Sequence, residues 1–129
     1  MCGVKMLPRI YRILALSFIA VLSTSCGEIR SGYNESDLKA REIILKGNLY
    51  QIRKTIDLYS ADQGKLPQSL DDLVKAGYLR QITEDPFTNR PDWKLIIGDD
   101  PNSKGKSGIV DIRSSSAAKS TDGKPYNEW

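Results

Sequence analysis

Ser36-Asp37-Leu38-Lys39-Ala40-Arg41-Glu42-Ile43-Ile44-Leu45-Lys46-Gly47-Asn48-Leu49-Tyr50-Gln51-Ile52-Arg53-Lys54-Thr55-Ile56-Asp57-Leu58-Tyr59-Ser60-Ala61-Asp62-Gln63, followed by Gly64-Lys65-Leu66-Pro67, is the stretch that decides the fold. Turning about 100° per residue from Leu38, the side chains of Leu45, Leu49, Ile52, Ile56 and Tyr59 fall within an arc of roughly 80°. Arg53 and Asp57 lie outside that arc. Asn34 or Ser36 suits the N-cap, with Glu35 and Asp37 near the positive end of the macrodipole. Gly64 fits the left-handed position past a helix end, and Pro67 forbids continuation. The expected helix, 36–63, is about 42 Å long at roughly 1.5 Å per residue. That is more than a small head needs for its own core.

A second apolar set lies off the stripe: Ile43, Ile44, Tyr50 and Leu58. Gly47 shares the back face with Ile44 and Leu58. An interior helix glycine costs about 1 kcal/mol relative to alanine, and close approach of another helix is one reason to keep it. Ile44, Gly47 and Leu58 are therefore the candidate partner-binding residues. The alternative is scattered surface apolars with a tolerated glycine.

Beyond the helix, Ser69 is placed to cap a short helix starting at Leu70, and Asp72 stands where a capping box needs its acceptor. Gly77 ends it. Leu70, Leu73 and Val74 share a face that covers the long helix. Asp85-Pro86 starts a turn that Asn89-Arg90-Pro91 extends. Trp93 to Ile97 and Gly108 to Arg113 read as two strands of an antiparallel hairpin joined by a polar loop. Ser114 to Trp129 is polar, with Asp122-Gly123 as a turn, Tyr126 and Trp129 as anchors, and room for a third short strand. The fold class is α+β: a long helix packed on a small antiparallel sheet, with the head spanning 64–129.

These pieces, in this order, resemble the G-type pseudopilins of type II secretion systems, within the wider type IV pilin-like class. The resemblance rests on Ala40-Arg41-Glu42, Ile56-Asp57-Leu58-Tyr59, Asp62-Gln63-Gly64-Lys65-Leu66-Pro67, Leu70-Asp71-Asp72-Leu73, Gly77-Tyr78-Leu79, Asp85-Pro86-Phe87, Val110-Asp111-Ile112 and Asp122-Gly123 with Trp129. It covers about residues 36–129. It implies a helical spine with a sheet packed on its lower half, and a non-catalytic role. Partners would be other pilin-like or secretion-system proteins. It also raises calcium, bound in the family by the loop after the last long strand. The matching segment, about Ser114 to Asp122, offers one carboxylate, Asp122, whereas calcium takes about 6–8 oxygens. The expectation is therefore no metal and no cofactor.

The N-terminus departs from that pattern. The family carries a Gly-Phe cleavage site and then a long apolar helix with an early Glu. Here Phe18 follows Ser17, and no acidic residue precedes Glu28. Residues 1–25 instead resemble a bacterial lipoprotein signal. Lys5, Arg9 and Arg12 form a basic region, and Ile13 to Leu22 is an apolar run shorter than the roughly 20 residues that span a bilayer. Leu22-Ser23-Thr24-Ser25-Cys26 resembles a lipobox, making Cys26 the expected lipid attachment residue. An ordinary cleaved signal and an uncleaved anchor are the alternatives. On that reading residues 26–35 form a polar tether, and the expectation is an envelope lipoprotein facing the periplasm. Gly27 and Glu28 after Cys26, with no Asp at the second mature position, favour the outer membrane. Met6 is an alternative start to Met1.

The 19 basic and 16 acidic residues give a net charge of +3. Loss of Lys5, Arg9 and Arg12 with the signal leaves 16 basic residues against 16 acidic ones. No basic cluster with aromatics survives in the head, which argues against nucleic-acid binding. There is no histidine, so histidine-based triads, zinc sites and haem ligation are excluded. Asp71 and Asp72 are adjacent on a helix and point apart, which suits first-turn charges rather than an acid pair. No catalytic residue is expected. The competing reading is a ligand-binding or enzymatic envelope lipoprotein that reuses a pilin-like head.

Overall fold

The computed structural model describes the backbone from Cys26 and the side chains from Glu35 to Trp129. The proposed signal segment 1–25 and the Cys26 side chain lie outside the described residues. The elements in order are α1 (Cys26–Gln63), α2 (Leu70–Lys75), β1 (Lys94–Asp99), β2 (Ser107–Arg113) and a 3-10 turn, Tyr126–Glu128. The chain divides into two units, Met1–Asp37 and Leu38–Trp129. The described part of the first, 26–37, is helical backbone. The second holds the core and the sheet.

α1 is 38 residues long and starts at Cys26 rather than at Ser36. The backbone of 26–35, expected as a tether, is helical. Asn34 and Ser36, expected as caps, are therefore interior residues of the helix. Gly27 and Gly32 lower helix propensity there, but no proline interrupts it, and extending a formed helix is far easier than nucleating one. The end falls where the stop signals put it: Gly64 has φ +64° and gives its N–H to the Ser60 carbonyl.

The predicted stripe is the core. Leu45, Leu49, Ile52, Ile56 and Tyr59 are buried, while Leu38, at the stripe's beginning, is half-buried. They meet Leu70 and Leu73 of α2, Leu79, Trp93, Ile109 and Ile112 of β2, and Tyr126. Each such side chain contributes on the order of 1.5–3 kcal/mol when fully buried. α2 opens with the expected capping box. Ser69 Oγ accepts from the Asp72 N–H at 3.3 Å, and Asp72 Oδ2 accepts from the Ser69 N–H at 3.1 Å. Asp72 also accepts from the Gln68 N–H at 2.9 Å. That bond most of all, against the opposing effect of burial, holds its carboxyl below the usual range.

β1 and β2 pair antiparallel, from Lys94 opposite Arg113 to Asp99 opposite Ser107. The register shifts between Ile96 and Ile97: Ile96 faces Asp111 and Ile97 faces Ile109, so Val110 is the extra residue of a bulge in β2. The bulge lets Ile109 and Ile112 both turn to the core, where both are fully buried. The strand suggested between Ser114 and Trp129 does not form. That segment makes one isolated bridge, Lys119 with Pro125, and then the 3-10 turn. Pro125 lacks an N–H to donate to a ladder. The segment is instead held by side chains, described next.

The faces of the long helix and their anchors

Two polar residues of α1 tie the C-terminal segment to the helix. Glu42 is buried. Its carboxylate accepts from the Thr121 N–H at 2.7 Å, the Thr121 hydroxyl at 2.9 Å and the Tyr126 hydroxyl at 2.8 Å. Burial alone would raise its pKa. The Thr121 and Tyr126 donors, with the nearby Lys46 ammonium, outweigh burial and hold it below the ordinary value. The same burial, with the Glu42 hydrogen bond and charge, pushes the Tyr126 hydroxyl far up. Tyr126 is stacked on Phe87 at 3.9 Å and meets Trp129 edge to face at 5.1 Å. Lys46 lies over the Trp129 ring at 4.7 Å.

Arg53 is the second tie. Its Nε donates to Asp111 Oδ1 at 2.7 Å, and its Nη2 donates to the Ile112 and Trp129 carbonyls at 2.8 and 3.0 Å. A planar guanidinium serves three acceptors that a lysine ammonium could not reach together. Sequence periodicity puts Arg53 outside the stripe and gives it no role, and Glu42 stands out only within the Ala40-Arg41-Glu42 motif. In a single sequence, a polar residue at the margin of an apolar stripe is the sole local sign of either.

Among the described residues, the opposite face of the helix exposes large apolar side chains. Ile43, Ile44, Tyr50 and Leu58 are 72, 53, 67 and 48 % exposed. A Cβ built at Gly47 would meet nothing within 4 Å. The candidate residues Ile44, Gly47 and Leu58 are thus together on one open face, and Ile43 and Tyr50 join them. Single exposed apolar residues are ordinary; here several share one helical face.

Asp122, the one candidate calcium carboxylate, is exposed. Its loop is closed by the Ser120 N–H to the Lys124 carbonyl at 2.8 Å and by the Glu42 bonds to Thr121. Among the described residues no three His, Cys, Asp or Glu side chains gather as a metal site. Asp85 is fully buried but structural: it accepts from the Ser114 hydroxyl at 2.5 Å and the Phe87 N–H at 2.8 Å. Asp100 likewise accepts from the Leu66 and Asn102 N–H groups. Among the described residues no helix is long and apolar enough to cross a membrane. No family model, curated protein or solved structure matches the chain.

Proposed function

We propose that this chain is a non-catalytic, pilin- or pseudopilin-like component or accessory factor of a type II secretion or type IV pilus-like system. Cys26 carries the lipid that holds it at the membrane, with the head facing the periplasm and the outer membrane the favoured destination. The face of α1 bearing Ile43, Ile44, Gly47, Tyr50 and Leu58 docks against another pilin-like or secretion-system protein.

One observation supports this reading most. The helix buries its stripe in the head and leaves four large apolar residues exposed around an uncrowded glycine on the other side. A helix that served only its own core would carry polar residues there. The polar ties of Glu42 and Arg53 hold the head to one side of α1, leaving that back face clear.

The test has two parts, both on the full chain in its host membrane. Mass spectrometry of the mature N-terminus, compared between wild type and Cys26→Ser, should find an acylated Cys26 that the variant lacks. Chemical cross-linking should then join wild type to a secretion-system or pilin-like protein, and Ile44→Glu or Leu58→Glu should abolish that product without altering the melting temperature. An unmodified N-terminus defeats the anchor. Cross-linking indifferent to both substitutions defeats the docking face.

A further inference from the structure

The two edges of the sheet differ. The outer edge of β2 is engaged near its start, where the Ile109 N–H goes to the Pro67 carbonyl at 2.9 Å and Gln68 Nε2 to the Ser107 carbonyl at 2.7 Å. The outer edge of β1 has no neighbour: among the described residues no strand, bridge or turn pairs with Lys94–Asp99 except β2. Leu95 and Ile97 on that strand are 40 and 58 % exposed. They stand opposite Ile112 and Ile109, both fully buried, and so continue the core-side apolar layer past the helix that roofs it.

We propose that β1 is a self-pairing edge, at which two copies of this chain join antiparallel about a dyad at Ile96 to give a four-stranded sheet. The backbone register supports it. Ile109 gives its N–H to Pro67, away from β1. The Ile97–Ile109 pair is therefore a non-hydrogen-bonded one, and the N–H and C=O of Ile97 point to the open edge. Alternation along the strand directs those of Leu95 the same way. A dyad at Ile96 sets Leu95 of each copy opposite Ile97 of the other. Those are the residues whose backbone groups are free to exchange bonds, and whose side chains are the exposed apolar ones.

Charge selects the same orientation. β1 begins at Lys94 and ends at Asp99. Antiparallel pairing brings each basic end beside the other copy's acidic end, whereas parallel pairing would set like against like. The bulge that often protects a sheet edge falls on β2 at Val110, and β1 carries no proline within the strand. The dyad stands perpendicular to the sheet, so the two long helices lie on one face and run in opposite directions. This is a pairing of heads, distinct from chains anchored side by side in one membrane. It does not use the helix face assigned above, so the two proposals fail separately.

The experiment is sedimentation of the full chain in mild detergent at micromolar concentration, with circular dichroism to verify the fold of each variant. Wild type should be a dimer. Ile97→Lys and Leu95→Lys, both at exposed positions, should each weaken it by at least about tenfold through charge at the edge, while Ile44→Glu leaves it intact. Ile96→Cys should form a disulfide-linked dimer that wild type, with only Cys2 and Cys26, does not. The two Ile96 positions of a non-hydrogen-bonded pair are about 4.5 Å apart, within disulfide range. The proposal is overturned by a monomer, by a dimer indifferent to Ile97→Lys and Leu95→Lys, or by a dimer broken only by Ile44→Glu. An Ile96→Cys variant that cross-links only to a different protein also overturns it.

Discussion

Glu42, in the first part of the long helix, accepts a 2.8 Å hydrogen bond from Tyr126, 84 positions later in the chain. With the two Thr121 donors, this contact fastens the segment after β2 to the helix that precedes it. Tyr126 in turn stacks on Phe87 and meets Trp129, so one carboxylate organises the aromatic floor of the head.

Removing that carboxylate leaves the buried Tyr126 hydroxyl without its acceptor and also breaks the two bonds from the exposed Thr121. Glu42→Ala should cost about 2–4 kcal/mol, because unpaired buried polar groups carry their full desolvation penalty. Tyr126→Phe removes one donor and keeps the ring, and should cost about 1–1.5 kcal/mol. Denaturant unfolding of both variants checks this. Equal losses would mean that the Tyr126 bond alone does the fastening and that the two Thr121 bonds add nothing.

The same contact has a pH signature. Glu42 is held below its ordinary 4.5 in the folded state. A depressed carboxyl contributes stability that is fully present above the unfolded value and disappears as pH falls through the folded one. Tyr126 is raised above 10.0, so its contribution is full below pH 10 and is lost as pH climbs towards its folded value. The melting-temperature advantage of wild type over Glu42→Gln should therefore be constant near neutrality and shrink below about pH 4.5. A gap that holds unchanged in acid would contradict this account.

Two glycines should respond in opposite ways to alanine. At Gly108 a Cβ would lie 2.5 Å from Leu66 Cβ and 3.0 Å from the Pro67 carbonyl oxygen. Gly108→Ala should destabilise by roughly 1–3 kcal/mol through overpacking. At Gly47 the space is open, and Gly47→Ala should stabilise by about 1 kcal/mol through helix propensity. If the back face docks a partner helix at close range, that gain in stability should accompany a loss of the cross-linked product. Thermal melts and cross-linking of the same preparations read both.

Arg53→Lys keeps the charge and loses the fork. Because the Arg53–Asp111 pair is more than a third exposed, its ionic part is screened and contributes little. The cost, about 1–2 kcal/mol, should come from the two carbonyl bonds. It should therefore change little between low and high salt. A penalty that vanishes in high salt would assign the role to the ion pair instead.

How much of this was legible in the sequence follows from how far each determinant reaches. The core stripe from Leu45 to Tyr59, the stop at Gly64, the Ser69 cap and the antiparallel hairpin were all readable. Each depends on periodicity or on partners a few residues away. The back face of Ile44, Gly47 and Leu58 was readable for the same reason, since a helix converts spacing directly into direction. Tertiary structure alone decided the rest. Arg53 meets partners 58 to 76 positions away and Glu42 meets them 79 and 84 positions away. Nothing local distinguishes those two from any polar residue beside a stripe. The bulge at Val110 and the open edge of β1 depend on strand register and on which neighbours a strand has. Composition sets how strongly a strand pairs, but only the packed chain determines which of its edges is left without a partner.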